Sequence, residues 1–280
     1  MKENILSKKN VLLYVLSIAL IIGSFLYPVE NSKTYASTKS EGDKEIVNGK
    51  IIKNEISNKD GSVKLSKIND EVWVHTTYTN MDGFSVPANG LLINSSKGLY
   101  LIDATWNDQL ANELLKMIDQ KFHKRVKKAI ITHHKIDRVG GVQALLDAKI
   151  PVESTSFIAK MMKDEGYPQI KTTLDRNPVF KAGKVSIETY YPGEAHTRDN
   201  IVVWLPQYKI LFGDMIFALE QGNVGIIDEA NMSAWPYTMQ NLINKYPDAK
   251  VVIPGHKSWG AFSLLTHTID NLKNYELANQ

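Results

Sequence analysis

A chain of 280 residues, 43% hydrophobic and 22% charged, fits one large domain or two small ones and carries no low-complexity run. Its formal charge is +3, and residues 1–36 hold four Lys and two Glu, so the remainder sits near +1 without the basic stripe of a nucleic-acid binder. There is no cysteine, which excludes disulfides and thiolate ligands and leaves stability to a hydrophobic core.

Lys2, Lys8 and Lys9 precede an apolar run from Val11 to about Tyr27, and Thr34-Tyr35-Ala36 offers small residues before a cleavage point at Ser37. A basic start, an apolar middle and such an exit predict a secretory signal peptide over residues 1–36. The rival is an uncleaved anchor, for which the run is a little short. A secreted or periplasmic protein is expected, with a polar, flexible segment over 37–46 and the folded domain over 47–280.

Glu71–Tyr78, Leu91–Asn94 and Leu99–Ala104 have the β-branched and aromatic content of strands. Between the first two, Thr79–Asn89 reads as a hairpin loop with Gly83 at its tip. Asn107–Phe122 repeats its apolar residues at helical spacing, and Lys127–Thr132 is a short buried strand. Helix over Val139–Ala148, strand over Ile150–Val152 and helix over Ser156–Glu165 follow. Strands are then expected at Val185–Tyr190, Ile201–Leu205, Ile210–Phe212 and Val251–Ile253, with helices at Met239–Lys245 and Phe262–Tyr275. A strand-rich start followed by β-α alternation predicts a mixed α and β fold of two packed sheets with helices outside.

The chain has seven His, and the candidate chemistry gathers at strand exits. Thr132-His133-His134-Lys135-Ile136-Asp137-Arg138 brings two imidazoles and a carboxylate onto one loop, and Gly140-Gly141 opens a helix. His196, Asp214 and His256 each follow another predicted strand. Carboxyl ends of strands are where such sheets bind ligands, and mixed imidazole and carboxylate donors suit zinc or iron. His75 and His267 read as surface or satisfied side chains, and His123 as a solvated helix end. Trp73, Trp204 and Trp235 read as core, Trp259 as a groove border, and Arg138 as a counter-charge to buried carboxylates.

At these residues the chain resembles the class B, zinc-dependent β-lactamases of the metallo-β-lactamase superfamily. The 132–141 loop looks like their His-x-His-x-Asp-Arg-x-Gly-Gly loop, Tyr191–Gln207 like their third-His segment, and Pro254-Gly255-His256 like their last ligand. The likeness runs from about Lys50 to Leu272. It implies an α+β fold, a four-layer αβ/βα sandwich with the metals in a groove between the sheets. It implies His133 and His196 in a first zinc site and Asp137 and His256 in a second. Asn223 would lie in the substrate loop, and Met81 and Phe84 in a flap over the groove.

Three positions depart from the family pattern. The middle His is Lys135, with an extra His134 one place early and an additional candidate ligand. The family cysteine is absent, and Asp214 is the better replacement than Met215, which should pack inward. The family's substrate-binding lysine has no counterpart, since Phe217-Ala218-Leu219-Glu220 stands there. Lys135 is instead assigned to substrate binding, or its ammonium takes the place of the first metal.

The resemblance implies a hydrolase holding one or two zinc ions and opening a β-lactam amide by a metal-bound hydroxide, with Asp137 orienting the attack. A monomer acting on a small molecule, with no nucleic acid and no membrane after signal removal, is expected. Two alternatives stay open: the same fold hydrolysing a lactone or thioester, and a non-catalytic relative that has lost part of the site.

Overall fold

The computed structural model describes the backbone of residues 45–47 and 50–52 and all of residues 55–279. The expected signal peptide and nearly all of the 37–46 segment lie outside the described residues. A two-stranded ribbon pairs β1 (Glu45–Val47) with β2 (Lys50–Ile52).

The first sheet runs in chain order: β3 (Glu55–Ser57), β4 (Val63–Lys67), β5 (Val72–Met81), β6 (Phe84–Ser95), β7 (Gly98–Ile102), β8 (Val126–Ile130) and β9 (Val152–Glu153). Antiparallel pairing gives way to parallel at β7–β8 and β8–β9. Parallel neighbours need a crossover, and helices supply it. Helix α1 (Asp108–Phe122) joins β7 to β8, while α2 (Ile136–Val139) and α3 (Val142–Asp147) join β8 to β9. Asn107 caps α1 by accepting from the Leu110 amide, and His123 closes it in the left-handed conformation. Helix α4 (Ser156–Asp164) follows β9.

The second sheet holds β10 (Val179–Ala182), β11 (Val185–Tyr190), β12 (Val202–Leu205), β13 (Ile210–Gly213) and β14 (Val251–Pro254) in that order, with only β13–β14 parallel. Helix α5 (Trp235–Lys245) makes its crossover, and α6 (Ser263–Ala278) closes the chain.

Side-chain alternation makes the layers. Val203, Leu205, Ile210, Phe212 and Ile253 pack into one core with Leu91, Ile93, Leu101 and Ile130 of the first sheet. Their neighbours Val202, Trp204, Leu211 and Val252 point the other way, onto Trp235, Met239, Leu242, Leu264 and Leu272 of α5 and α6. A strand with both faces covered reads as a continuous apolar run, as these do. The result is the expected α+β sandwich, two sheets flanked by helices. Trp73, Trp204 and Trp235 are buried in it, and Met215 packs inward.

Two expectations change. The hairpin expected at Thr79–Asn89 has Gly83 at its tip but a shorter loop: β5 and β6 stay paired to Met81 and Phe84, leaving only Asp82-Gly83 as the turn. Both residues have positive φ, which suits a two-residue hairpin turn and the Asp-Gly sequence. The helix expected over Val139–Ala148 is two short helices split at Gly140-Gly141, where the backbone passes the Trp106 carbonyl too closely for a Cβ at Gly140.

Candidate metal centre

Strands β11, β13 and β14 run in the same direction, so His196, Asp214 and His256 leave one end of the second sheet. From the first sheet, β8 delivers His133 and His134, and the first turn of α2 supplies Asp137. Asn89 ties the two sides together. Its amide donates to the Gly255 carbonyl at 2.7 Å, and its side chain donates to the carbonyls of Pro254 and Lys257.

The exits converge into two donor groups. His133, His196 and Asp214 form one, and Asp137, Asp214 and His256 the other, with ligand atoms within 4.8 Å of one another in each. His133 Nε2 and His196 Nε2 lie 3.6 and 3.7 Å from Asp214 Oδ2. His256 Nε2 lies 3.3 Å from Asp137 Oδ2 and 3.6 Å from Asp214 Oδ1. Asp214 therefore belongs to both groups, and it gives His133 and His196 the third donor that Lys135 does not.

Lys135 turns its ammonium to Glu229 at 2.5 Å and Glu165 at 3.8 Å. His134, fully buried, stands apart from His133 and His196 in a separate group with those glutamates.

Arg138 organises the charge. Fully buried, it pairs with Asp214 and, at 3.1 Å, with Asp137, and it donates to the carbonyls of Asn89 and Gly255. Burial alone would raise both carboxyls, but the Arg138 guanidinium together with the rings of His133 and His256 outweighs it and holds Asp137 and Asp214 well below the usual range. Burial pushes His133 down to about 4 against the pull of Asp214 and Asp137, so its ring is neutral at pH 7. Burial also disfavours charge on His256, yet the carboxylates of Asp137 and Asp214 prevail and raise its pKa. His256 Nδ1 donates to the Pro87 carbonyl, which turns Nε2 towards the two aspartates.

Asp103, which the sequence reading placed inside a strand, is an additional positioning residue. Its carboxylate accepts from the Thr132 amide and hydroxyl, each at 2.7 Å, and so fixes the backbone just before His133. Its φ of 63° is left-handed, and burial raises its pKa to about 7.

A metal fits this donor set. His133 Nε2 is buried without a hydrogen-bond partner and faces Asp214 Oδ2 at 3.6 Å and Asp137 Oδ1 at 3.8 Å, an arrangement that is costly unless a cation lies between these atoms. The donors border a groove of 310 Å³ whose walls include Met81, Val86, Lys135, Asn223, Ile226 and Lys257. Phe84 is exposed at the hairpin tip beside this groove's Met81, and Trp259 is not among the groove's lining residues. His75 is buried and bonded to the Ile102 carbonyl, and His267 contacts the Ala218 carbonyl.

Residues 85–256 match the sequence model of the metallo-beta-lactamase superfamily. The chain is 40% identical over 267 residues to a metallo-beta-lactamase type 2 of Bacillus sp. (strain 170), covering 95% of this chain and all of that one. It is also 40% identical over 241 residues to the type 2 enzyme of Bacillus cereus, covering 86% and 91%. Among solved structures, a metallo-beta-lactamase from Pontibacter korlensis superposes with a TM-score of 0.74 at 37% identity, covering 76% of this chain and 99% of that one.

Proposed function

The chain belongs to the metallo-β-lactamase superfamily, and from that premise we propose that it is an exported, zinc-dependent hydrolase that opens the ring amide of a β-lactam. The observation that carries the reading is Asp214, one carboxylate shared by two three-donor groups at the mouth of an apolar groove. His133, His196 and Asp214 would hold one zinc, and Asp137, Asp214 and His256 a second. Zinc held there would supply a water with a pKa lowered to roughly 7 and a Lewis acid for the amide carbonyl.

The chain's own residues do the rest. Asp137, kept ionised by Arg138, accepts a hydrogen bond from the attacking water and orients it. Asn223 and the apolar walls from Met81, Val86 and Ile226 hold the substrate against the donors, and Phe84 at the hairpin tip serves as the flap. No lysine follows Phe217 in the family's substrate position, but Lys257 reaches the groove from the next residue after His256. It serves as the cation for a substrate carboxylate. Lys135, already paired to Glu229, borders the same groove.

An aspartate in the shared position also favours a second reading, in which the same centre hydrolyses a lactone or thioester. Zinc content of the purified protein, with turnover of a chromogenic cephalosporin and of a lactone before and after chelation, separates the two. Zinc-dependent cephalosporin turnover supports the first reading, and lactone turnover alone the second. Absence of zinc and of both activities overturns them in favour of a non-catalytic relative. Export is tested by fractionation and by N-terminal sequencing, which should find Ser37 as the first residue of the mature chain.

A further inference from the structure

His134 is a second buried imidazole whose surroundings the groove does not use. Its Nδ1 lies 2.8 Å from Asp199 Oδ2, and its backbone amide donates to the same oxygen. An imidazole that gives its Nδ1 proton to a buried carboxylate presents a lone pair at Nε2. That Nε2 is buried and makes no directed hydrogen bond. It is aimed between two other lone-pair donors, 3.0 Å from Glu229 Oε2 and 3.2 Å from Glu165 Oε1.

We propose that His134, Glu165 and Glu229 form a separate site for a borderline divalent transition ion such as Zn²⁺. Tetrahedral zinc with bonds of 2.0–2.2 Å sets its ligands about 3.3 Å apart, close to the two spacings found. Charge points the same way: three carboxylates, from Asp199, Glu165 and Glu229, face a single ammonium, that of Lys135. Lys135 engages the other oxygen of Glu229, Oε1, at 2.5 Å, so Oε2 is left for an ion. Asp199 behind the ring is the outer carboxylate that orients a metal-bound imidazole.

The three donors come from distant segments: the exit of β8, the C-terminal end of α4, and the loop carrying Asn223 and Ile226 to the groove. An ion here fastens that substrate loop to the body of the domain. None of its donors belongs to the groove's two groups, so the inference stands or falls independently of the proposed hydrolysis.

The test is Zn²⁺ titration of the metal-free full chain against a chromophoric chelator, beside Glu165→Gln/Glu229→Gln. Both glutamates are partly exposed, and the double variant should keep the wild-type circular dichroism spectrum. The expected result is one ion fewer per chain in the variant. An equal ion count in both overturns the site. Anomalous scattering at the zinc edge from wild-type crystals decides the matter if the variant misfolds. A peak among His134, Glu165 and Glu229 is expected, and its absence at saturating zinc overturns the inference.

Discussion

Arg138 donates to Oδ1 of Asp214 and leaves Oδ2 to face His133 and His196. One carboxylate is thereby split between a fixed guanidinium and a pair of imidazoles. The division explains how a chain without cysteine and without the middle His of its family loop still presents three donors, His133, His196 and Asp214, in one group.

Asp214→Asn tests that division. The amide keeps the shape but loses the charge and one acceptor oxygen. The bound zinc should fall by at least one ion, and kcat/KM on a cephalosporin by at least about 100-fold, or roughly 2.7 kcal/mol. Unchanged zinc content would remove Asp214 from the ligand set.

Arg138→Met removes the only cation among the described residues that touches Asp103, Asp137 and Asp214 together. Losing one partner of a buried ion pair costs about 3–5 kcal/mol, because the remaining charge is left without compensation. The metal-free variant should show that loss in urea unfolding. A loss under about 1 kcal/mol would mean that water reaches the carboxylates and Arg138 is not their main counter-charge.

Lys257→Ala addresses the missing family lysine. An exposed cation contributes about 1 kcal/mol or less, so KM for an anionic β-lactam should rise roughly fivefold with kcat little changed. The effect should shrink at high salt as screening grows. Equal KM values for variant and wild type at low salt would leave the substrate carboxylate without an assigned partner.

His75 sets a pH dependence that lies outside the metal groups. Burial lowers its pKa to about 4 from 6.5, so the unfolded chain binds more protons in that interval. With the folded pKa depressed, stability is lost as pH falls from 6.5 towards 4, by about 3 kcal/mol. In chelator, His75→Gln should flatten the slope of unfolding free energy against pH in that window, since its amide can still donate to the Ile102 carbonyl. Identical slopes would show that His75 does not carry the titration.

What the sequence discloses follows from how local each signal is. The strand exits with His133, His196, Asp214 and His256 are local patterns, and a buried strand ending in a polar ligand type is visible along the chain. The hairpin and its tip at Gly83 are legible, but the loop looks longer than it is because Asn80, Asp82, Gly83, Pro87 and Asn89 are loop formers by composition, while cross-strand pairing decides the backbone there. Asp103 reads as an ordinary residue inside a strand, since nothing nearby shows that its carboxylate will hold Thr132, 29 residues away. Glu165 and Glu229 carry no motif at all. Only the tertiary fold brings them to His134, and only the buried ring gives them a meaning.

Lys135→His asks whether the lysine limits the centre. The ammonium is held by Glu229 and Glu165 through ion pairs of 2.5 and 3.8 Å, so its charge is directed to those glutamates, not to Asp214. The same position borders the groove beside Asp137. An imidazole there would add a neutral nitrogen donor to the His133, His196 and Asp214 group while removing a positive charge that opposes a cation. Zinc should bind more tightly at that group, and cephalosporin turnover should rise about tenfold, equivalent to about 1.4 kcal/mol of barrier. Isothermal titration with Zn²⁺ and steady-state kinetics on both proteins measure the two effects. Equal affinity and equal rate would mean that Asp214 already completes the group and that Lys135 has no part in the chemistry.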